Sequence, residues 1–374
     1  YISRQNLIDN ILSFKKLRKE TKICAIVKAD AYGHGIKGVV PIIKNYVDFF
    51  GVVSLTEALE VRKYSSKSVL ILSPIEKENI LEAVQNQISL SVSNLRYLKT
   101  IENAIKNRNL KAKIHLKLNT GMNRLGFSNL VNFKKAVEFI LTHDNLILEG
   151  VYTHFFDVSR KEVVSTQYEK FCKYKNITNE LIFSKNIENN SKNTQNYTKN
   201  QTKLIFHCAS SNLSLMDNMY CFDMVRLGIL LYGYKEVESK IKLKPVLKIT
   251  SSLVQIQSIK KGQNVGYGNN FTAKTDMKIG IVNLGYADGF LRTNSNEGKV
   301  IINNQFANIV GTICMDLFMV DITNIKCKIG DEVIILGSSK NLKIDADDLA
   351  KINNTISYEI LTNIKKDRFN YQIV

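Results

Sequence analysis

A lysine that closes an apolar strand is the first residue of this chain whose position suggests chemistry. Residues 23–27 read Ile-Cys-Ala-Ile-Val, and Lys28 follows them directly. Burying an amine is costly unless a partner or a task compensates for it. A desolvated lysine can act as a nucleophile or a base, and it can form a Schiff base with a carbonyl cofactor. The same position also fits a lysine at a strand edge whose amine reaches water.

Further residues able to bind anions or move protons follow apolar segments in the same way. They are Tyr32, Arg124, His154, His207, Ser211 and Arg226, with Gly228 and Ile229 after the last. Taken singly they say little, because a lone histidine such as His115 is more often structural. Their shared position after strands is more informative. The hydroxyl of Ser211 and the amides of Gly228 and Ile229 would suit a phosphate group.

The elements that must position these residues are short apolar segments alternating with helix-like ones. The apolar segments are 23–27, 49–53, 68–72, 88–92, 112–118, 146–152, 204–208 and 223–226. Strands that alternate with helices predict a parallel β/α architecture. Eight of them favour a closed (β/α)8 barrel of the TIM type, whose active site lies at the carboxyl ends of its strands. No G-x-G-x-x-G follows a strand, which disfavours a dinucleotide-binding fold.

The pattern changes after about residue 240. Alternating strand-like segments follow one another without long helices between them, which predicts a mostly antiparallel β domain. We therefore place a barrel domain at residues 1–238 and a C-terminal β domain at residues 239–374. Within the barrel, residues 184–203 consist almost entirely of Asn, Lys, Thr, Gln and Ser. Such a segment cannot form a core, and we expect a mobile surface insertion.

The composition excludes several classes of protein. The formal net charge is +18, but the lysines are scattered and no arginine-rich arm occurs, so we expect no nucleic-acid partner. A positive field still attracts phosphates and carboxylates. No apolar run approaches the roughly 18 residues of a membrane span. The six cysteines form no C-x-x-C pair and no metal-ligand spacing, which predicts no metal site and a reducing, cytoplasmic location.

A series of short motifs resembles that of the bacterial alanine racemases, in the same order along nearly the whole chain. The motifs are AIVKADAYGHG, TGMNRLGF, YTHF, FDMVRLGILLYG, VGYGNNF, GYADGF, ICMD and TISYE. The resemblance implies an N-terminal barrel that binds pyridoxal 5'-phosphate, followed by a C-terminal β domain. It also implies a cytoplasmic homodimer with shared active sites that interconverts L-alanine and D-alanine and supplies D-alanine for peptidoglycan.

The resemblance assigns the reacting and cofactor-binding residues. Lys28 binds the cofactor covalently and is one base, and Tyr267 is the other base, presented by the partner subunit. Arg226 meets the pyridine nitrogen of the cofactor. The remaining cofactor-binding residues, most of them at the phosphate, are Tyr32, His154, Ser211, Gly228, Ile229 and Tyr358.

The resemblance also assigns substrate-binding and supporting residues. Arg124 and Met315 lie near the substrate carboxylate. His154 supports Tyr267, and His207 supports Arg226. Tyr286 and Asp316 shape the entrance and the substrate pocket. Lys117 matches a lysine that is often carbamylated in the family and then steadies the arginine at the position of Arg124.

These assignments agree with the demands of racemisation. Removing the Cα proton on one face and returning it on the other needs two bases on opposite sides of the substrate. An arginine at the pyridine nitrogen opposes its protonation and weakens the cofactor as an electron sink, which limits side reactions. A related decarboxylase would be expected to carry a carboxylate at position 226. Two alternatives stay open: a racemase of serine or of broader specificity, and a non-catalytic protein that carries the cofactor.

Overall fold

The computed structural model describes residues 1–191 and 203–374. Residues 192–202, most of the expected surface insertion, lie outside the described residues. The start of that insertion does not leave the fold as a loop, because it continues the long helix Lys161–Ser191. Residues 184–191 thus extend a helix that begins well inside the barrel domain.

Eight parallel strands form the first sheet. Their bounds are β1 (Lys22–Ile26), β2 (Phe49–Val52), β3 (Ser68–Ile71), β4 (Ile88–Val92), β5 (Ala112–Lys117), β6 (Leu146–Tyr152), β7 (Ile205–His207) and β8 (Met224–Leu227). They pair in the order β7-β6-β5-β4-β3-β2-β1-β8. Two backbone hydrogen bonds join the two ends of the sheet. The amide of Asp223 donates to the carbonyl oxygen of Phe206, and the amide of Arg226 donates to the carbonyl oxygen of Ala209. The predicted eight-stranded barrel is confirmed.

Helices surround this barrel, and two more follow the last strand of the second sheet. Their bounds are α1 (Arg4–Leu17), α2 (Ile36–Ile43), α3 (Leu55–Tyr64), α4 (Lys77–Gln85), α5 (Leu95–Ile105), α6 (Leu130–Leu141), α7 (Lys161–Ser191), α8 (Ser211–Met216), α9 (Ala346–Ile352) and α10 (Ser357–Thr362). Local sequence determines where several helices begin. The side chains of Ser54, Asn94 and Asn129 each accept a hydrogen bond from a backbone amide in the first turn of a helix. In residues 1–191 and 203–374, no helix combines the length and apolar character needed to cross a bilayer.

The second sheet is antiparallel, as predicted. Its strands are β9 (Ile249–Ile259), β10 (Met277–Val282), β11 (Lys299–Ile302), β12 (Gln305–Asn308), β13 (Phe318–Asp321), β14 (Glu332–Ser339) and β15 (Leu342–Ile344). The order is β12-β11-β14-β9-β10-β13, with β15 on β14. The sequence pattern missed β15 and α10, which are only three and six residues long. The boundary at residues 238 and 239 falls between β8 and β9 and stays a prediction.

The C-terminal helix α10 docks against the barrel through a glycine. Gly33 has φ +77°, and a Cβ atom there would overlap the carbonyl oxygen of Leu361 on α10. A side chain at position 33 would therefore suffer both an unfavourable backbone conformation and a clash with backbone. The contact matters for the site because α10 also carries Tyr358.

Gly33→Ala is expected to lower the free energy of unfolding by about 3–5 kcal/mol, combining the strain of a left-handed alanine with overpacking. Gly262→Ala is the matched control: Gly262 has φ +87° but no atom within 4 Å of its built Cβ. The control should cost only about 1–2 kcal/mol. Urea unfolding of both variants measures the difference, and equal losses would contradict the proposed contact.

Candidate active site

Lys28 lies at the mouth of the barrel. It follows β1, whose residues Ile23–Ile26 are buried, and its amine lines a cavity of about 920 Å³. Burial lowers the pKa of the Lys28 amine, and the charge of Arg124 lowers it further, while Glu57 opposes both. The lysine therefore sits where its neutral, nucleophilic form is favoured more than in water.

The backbone after Lys28 forms a left-handed helical turn. Ala29, Asp30, Ala31 and Tyr32 all have φ between +50° and +56°. Left-handed conformations cost L-residues roughly 1–2 kcal/mol each. Two carboxylates hold this turn: Glu57 accepts from the amide of Ala29 at 2.7 Å, and Asp30 accepts from the amide of Ile36 at 2.7 Å. The turn places the Tyr32 side chain in the same cavity as Lys28.

Four cationic side chains line this cavity: Lys28, Lys117, Arg124 and Arg226. Within the described residues none of them forms an ion pair with a carboxylate. Burial lowers the pKa of Lys117 to about 8, and the charges of Arg124, Arg226 and Lys28 add to the effect. Three carboxylates also line the cavity, those of Asp157, Glu236 and Glu359, but they pair with none of the four cations. The unpaired cations are suited to anionic ligands such as phosphates and carboxylates.

Arg226, on β8, is 5% exposed and is held by neutral acceptors. Its guanidinium donates to the carbonyl oxygens of Thr153 at 2.7 Å, Cys208 at 3.0 Å and His207 at 3.1 Å, and to Nδ1 of His207 at 2.9 Å. His154 Nδ1 lies 3.3 Å away. Burial lowers the pKa of the Arg226 guanidinium, and the groups to which it donates are neutral and so do not cancel its charge.

The residues predicted for a phosphate group line one side of the cavity. They are Tyr32, Ser211, Gly228, Ile229 and Tyr358. The Ser211 hydroxyl accepts from the amide of Gly228 at 2.9 Å, and the rings of Tyr32 and Tyr358 lie 5.9 Å apart. A Cβ at Gly228 would lie 2.5 Å from the Tyr32 hydroxyl, so only glycine leaves this space open.

Other functional positions were missed from the sequence. Tyr152 lines the cavity and stacks on His207 with ring centroids 4.8 Å apart. Its position in the motif YTHF at the end of a strand was the available signal. Asn212 and Glu236 also line the cavity and share a hydrogen bond of 2.6 Å. Glu57 could have been found from the pattern Ser54-x-x-Glu57, which is typical of a capping box.

Four predicted residues lie outside the cavity of their own chain. Tyr267, Tyr286, Met315 and Asp316 belong to the C-terminal domain and are absent from the cavity lining. Tyr267 is 69% exposed and Met315 is 55% exposed. Asp316 instead pairs with Arg368, at 2.6 Å. His154, predicted to support Tyr267, lies beside Arg226 in this chain.

Two family models match nearly the whole of the chain. Residues 2–236 match the family model "Alanine racemase, N-terminal domain", and residues 246–372 match "Alanine racemase, C-terminal domain". The chain belongs to the alanine racemase family.

Individual alanine racemases resemble the chain over nearly their full length. The alanine racemase of Clostridium novyi is 35% identical over 377 residues, covering 98% of this chain and 92% of the relative. That of Clostridium kluyveri is 33% identical over 370 residues, covering 97% and 90%. Among solved structures, the Bacillus anthracis alanine racemase with bound L-Ala-P has a TM-score of 0.85 at 27% identity, covering 97% of this chain and 92% of that one.

The cationic cavity predicts how stability depends on pH. The amine of Lys117 loses its proton at about pH 8 when folded and at 10.5 when unfolded. Between these values the unfolded chain binds more protons, so the free energy of unfolding rises with pH there. Lys117→Met should reduce that rise, whereas Lys111→Met, at an exposed position, should not. Urea unfolding in carbon-dioxide-free buffer measures the effect, and parallel pH curves for Lys117→Met and wild type would contradict it.

Proposed function

We propose that the protein is a pyridoxal-phosphate-dependent racemase that interconverts L-alanine and D-alanine. The observation that carries the proposal is the convergence of Lys28, Arg226 and the predicted phosphate-binding residues on one cavity. Membership of the alanine racemase family supports the same substrate. The product would serve as D-alanine for peptidoglycan, and the six free cysteines suit the reducing cytoplasm.

The residues present fit this cofactor. Its phosphate would lie against Ser211 and the space left open by Gly228, where Tyr32 and Tyr358 also line the cavity. Its carbonyl carbon would meet the amine of Lys28, and its ring nitrogen would meet Arg226. The uncompensated cations of the cavity favour a ligand that carries a phosphate and a substrate that carries a carboxylate.

In the proposed reaction, the chain's own residues bind and orient the cofactor and the substrate, and they move protons. When bound, the cofactor withdraws electrons from the substrate and so acidifies its Cα proton. Arg124, exposed at the cavity rim, is suited to the substrate carboxylate. Lys28 accepts or returns the Cα proton on one face, and its lowered pKa makes its amine an effective base. Arg226 would stay protonated and would face the ring nitrogen.

The second base is proposed to come from a partner subunit. Tyr267 is exposed and outside the cavity of its own chain, which supports a two-fold symmetric homodimer in which each Tyr267 completes the other's site. Its loop is firmly held, since the Thr312 hydroxyl donates to the Tyr267 carbonyl oxygen at 2.9 Å. Met315, 55% exposed, would enter the partner's site on the same face.

The purified protein, supplied with pyridoxal 5'-phosphate, is expected to develop a visible absorbance and to convert L-alanine to D-alanine. Lys28→Ala should abolish both, because it removes the covalent attachment and one base. Chiral separation of products from L-alanine and L-serine measures activity and preference together. Serine turned over faster than alanine would favour the serine racemase, and bound cofactor without any racemisation would favour the carrier protein.

Mixing two inactive variants tests the shared site. Dimers that combine a Lys28→Ala chain with a Tyr267→Phe chain have one complete site out of two, so random exchange should restore about a quarter of wild-type activity. The matched control mixes Lys28→Ala with Arg226→Gln, both altered at one cavity, and should restore none. No recovery in the first mixture, with subunit exchange verified, would argue for a site within one chain.

A further inference from the structure

A path of buried hydrogen bonds leads from Arg226 into the interior of the barrel. Nη1 of Arg226 lies 2.9 Å from Nδ1 of His207, Nε2 of His207 lies 2.9 Å from Nδ1 of His115, and Nε2 of His115 lies 3.0 Å from Oε2 of Glu149. Both histidines are fully buried and Glu149 is 4% exposed. Polar groups at this depth are costly unless they are paired, and every member of this path is paired.

The proton positions along the path follow from the first donor. Arginine can only donate, so Nδ1 of His207 must be the acceptor and Nε2 of His207 must carry the proton. That proton is donated to Nδ1 of His115, whose own proton is therefore on Nε2 and is donated to Glu149. A second proton on His115 would leave His207 with two acceptor nitrogens and no proton. Both imidazoles are thus neutral, and Glu149 is the acceptor at the end.

Local backbone geometry builds the far end of this path. The register of β5 with β6 shifts so that Ile114 pairs with Leu148 and His115 pairs with Gly150, which leaves Glu149 as an extra residue in β6. A bulge of this kind re-aims a side chain. Gly150 is equally specific, because a Cβ there would overlap the imidazole of His115. Two irregularities of β6 therefore serve the contact between His115 and Glu149.

The environment of Glu149 keeps it ionised. Burial would raise the pKa of the Glu149 carboxyl, but hydrogen bonds from His115 and Ser89 and the charge of Lys113 oppose that effect and keep the pKa below its ordinary value. The Lys113 amine lies 3.5 Å away. Glu149 thus presents a permanent negative charge at one end of a path whose other end is the cation of Arg226.

We propose that His115 and Glu149 are positioning residues of the active site, which hold His207 in the single tautomer whose bare Nδ1 anchors Arg226. The significance for racemisation rests on the proposed role of Arg226 at the ring nitrogen, whereas the hydrogen-bonded path does not depend on it. An arginine held by a turned or protonated His207 would face an N–H group and would be pushed from its place. His115 and Glu149 fix the arginine without touching the cofactor or the substrate.

A matched pair of substitutions separates positioning from packing. His115→Leu keeps a comparable volume but neither accepts nor donates, whereas His115→Gln offers an acceptor to His207 and a donor to Glu149. His115→Asn is polar but too short to reach both neighbours, and it replaces His115→Leu in both measurements if the leucine variant does not fold. Glu102→Gln changes another buried carboxylate, on α5, that takes no part in the path and is the control.

The first readout is the nitrogen NMR spectrum of histidine-labelled full-length protein, with and without pyridoxal 5'-phosphate. The chain has five histidines, so each ring can be assigned by substitution. Wild type should show His115 and His207 as neutral rings protonated on Nε2. His115→Leu or His115→Asn should change the His207 signals, whereas His115→Gln and Glu102→Gln should leave that tautomer in place.

The second readout is the kinetics of racemisation. The disrupting variants should lower kcat about tenfold, the effect of one buried hydrogen bond, with KM changed less than about twofold. His115→Gln should stay within about threefold of wild type. A His207 ring protonated on Nδ1 in wild type, or His115→Gln no better than His115→Leu in both readouts, would overturn the proposal. The expected tautomers in a protein without racemase activity would uphold the path and refute the proposed function instead.

Discussion

Concentrated positive charge at the barrel mouth is the constraint on which the rest of the structure depends. Lys28, Lys117, Arg124 and Arg226 line one cavity without a carboxylate partner among the described residues. Two of them, Lys117 and Arg226, are buried, and buried cations oppose folding unless neutral acceptors surround them. The barrel supplies those acceptors at Arg226 as carbonyl oxygens from the ends of β6 and β7. The charge that opposes folding is also what attracts an anionic ligand.

The proposed two-base mechanism gives the second domain a role. Lys28 lines one cavity, and racemisation would also need a base on the opposite face of the substrate. The C-terminal domain carries Tyr267 on a loop held by Thr312, away from the cavity of its own chain. Its last helix, α10, covers the cavity of the same chain and brings Tyr358 to it. The domain thus contacts its own barrel through α10, and its exposed Tyr267 is the residue that the proposed homodimer would present to a second copy.

Periodicity and motif order were sufficient to predict the barrel, the antiparallel domain and part of the cavity lining, including Lys28, Tyr32 and Arg226. Strand ends are readable because apolar runs stop at them, so Lys28, His154 and Arg226 could be placed at one rim. Side-chain direction after a break in regular backbone is not readable in this way. The left-handed turn from Ala29 to Tyr32 has no propensity that would reveal it. Short elements such as β15 and α10 fall below the length at which a period can be recognised.

Glu149 shows why such irregularities collect at the site. Alternation along a regular strand assigns each side chain to one face, and a glutamate beside a glycine reads as solvated. The extra residue in β6 breaks that alternation and directs the carboxylate to His115. The positive φ values after Lys28 and the buried cation of Arg226 are departures of the same kind. Natural chains tolerate departures from local rules where function requires them and offset the cost elsewhere. In this chain the regular hydrogen bonding of the eight-stranded sheet offsets the cost of those departures. Residues with irregular backbone or buried charge can therefore lie around Lys28 and Arg226.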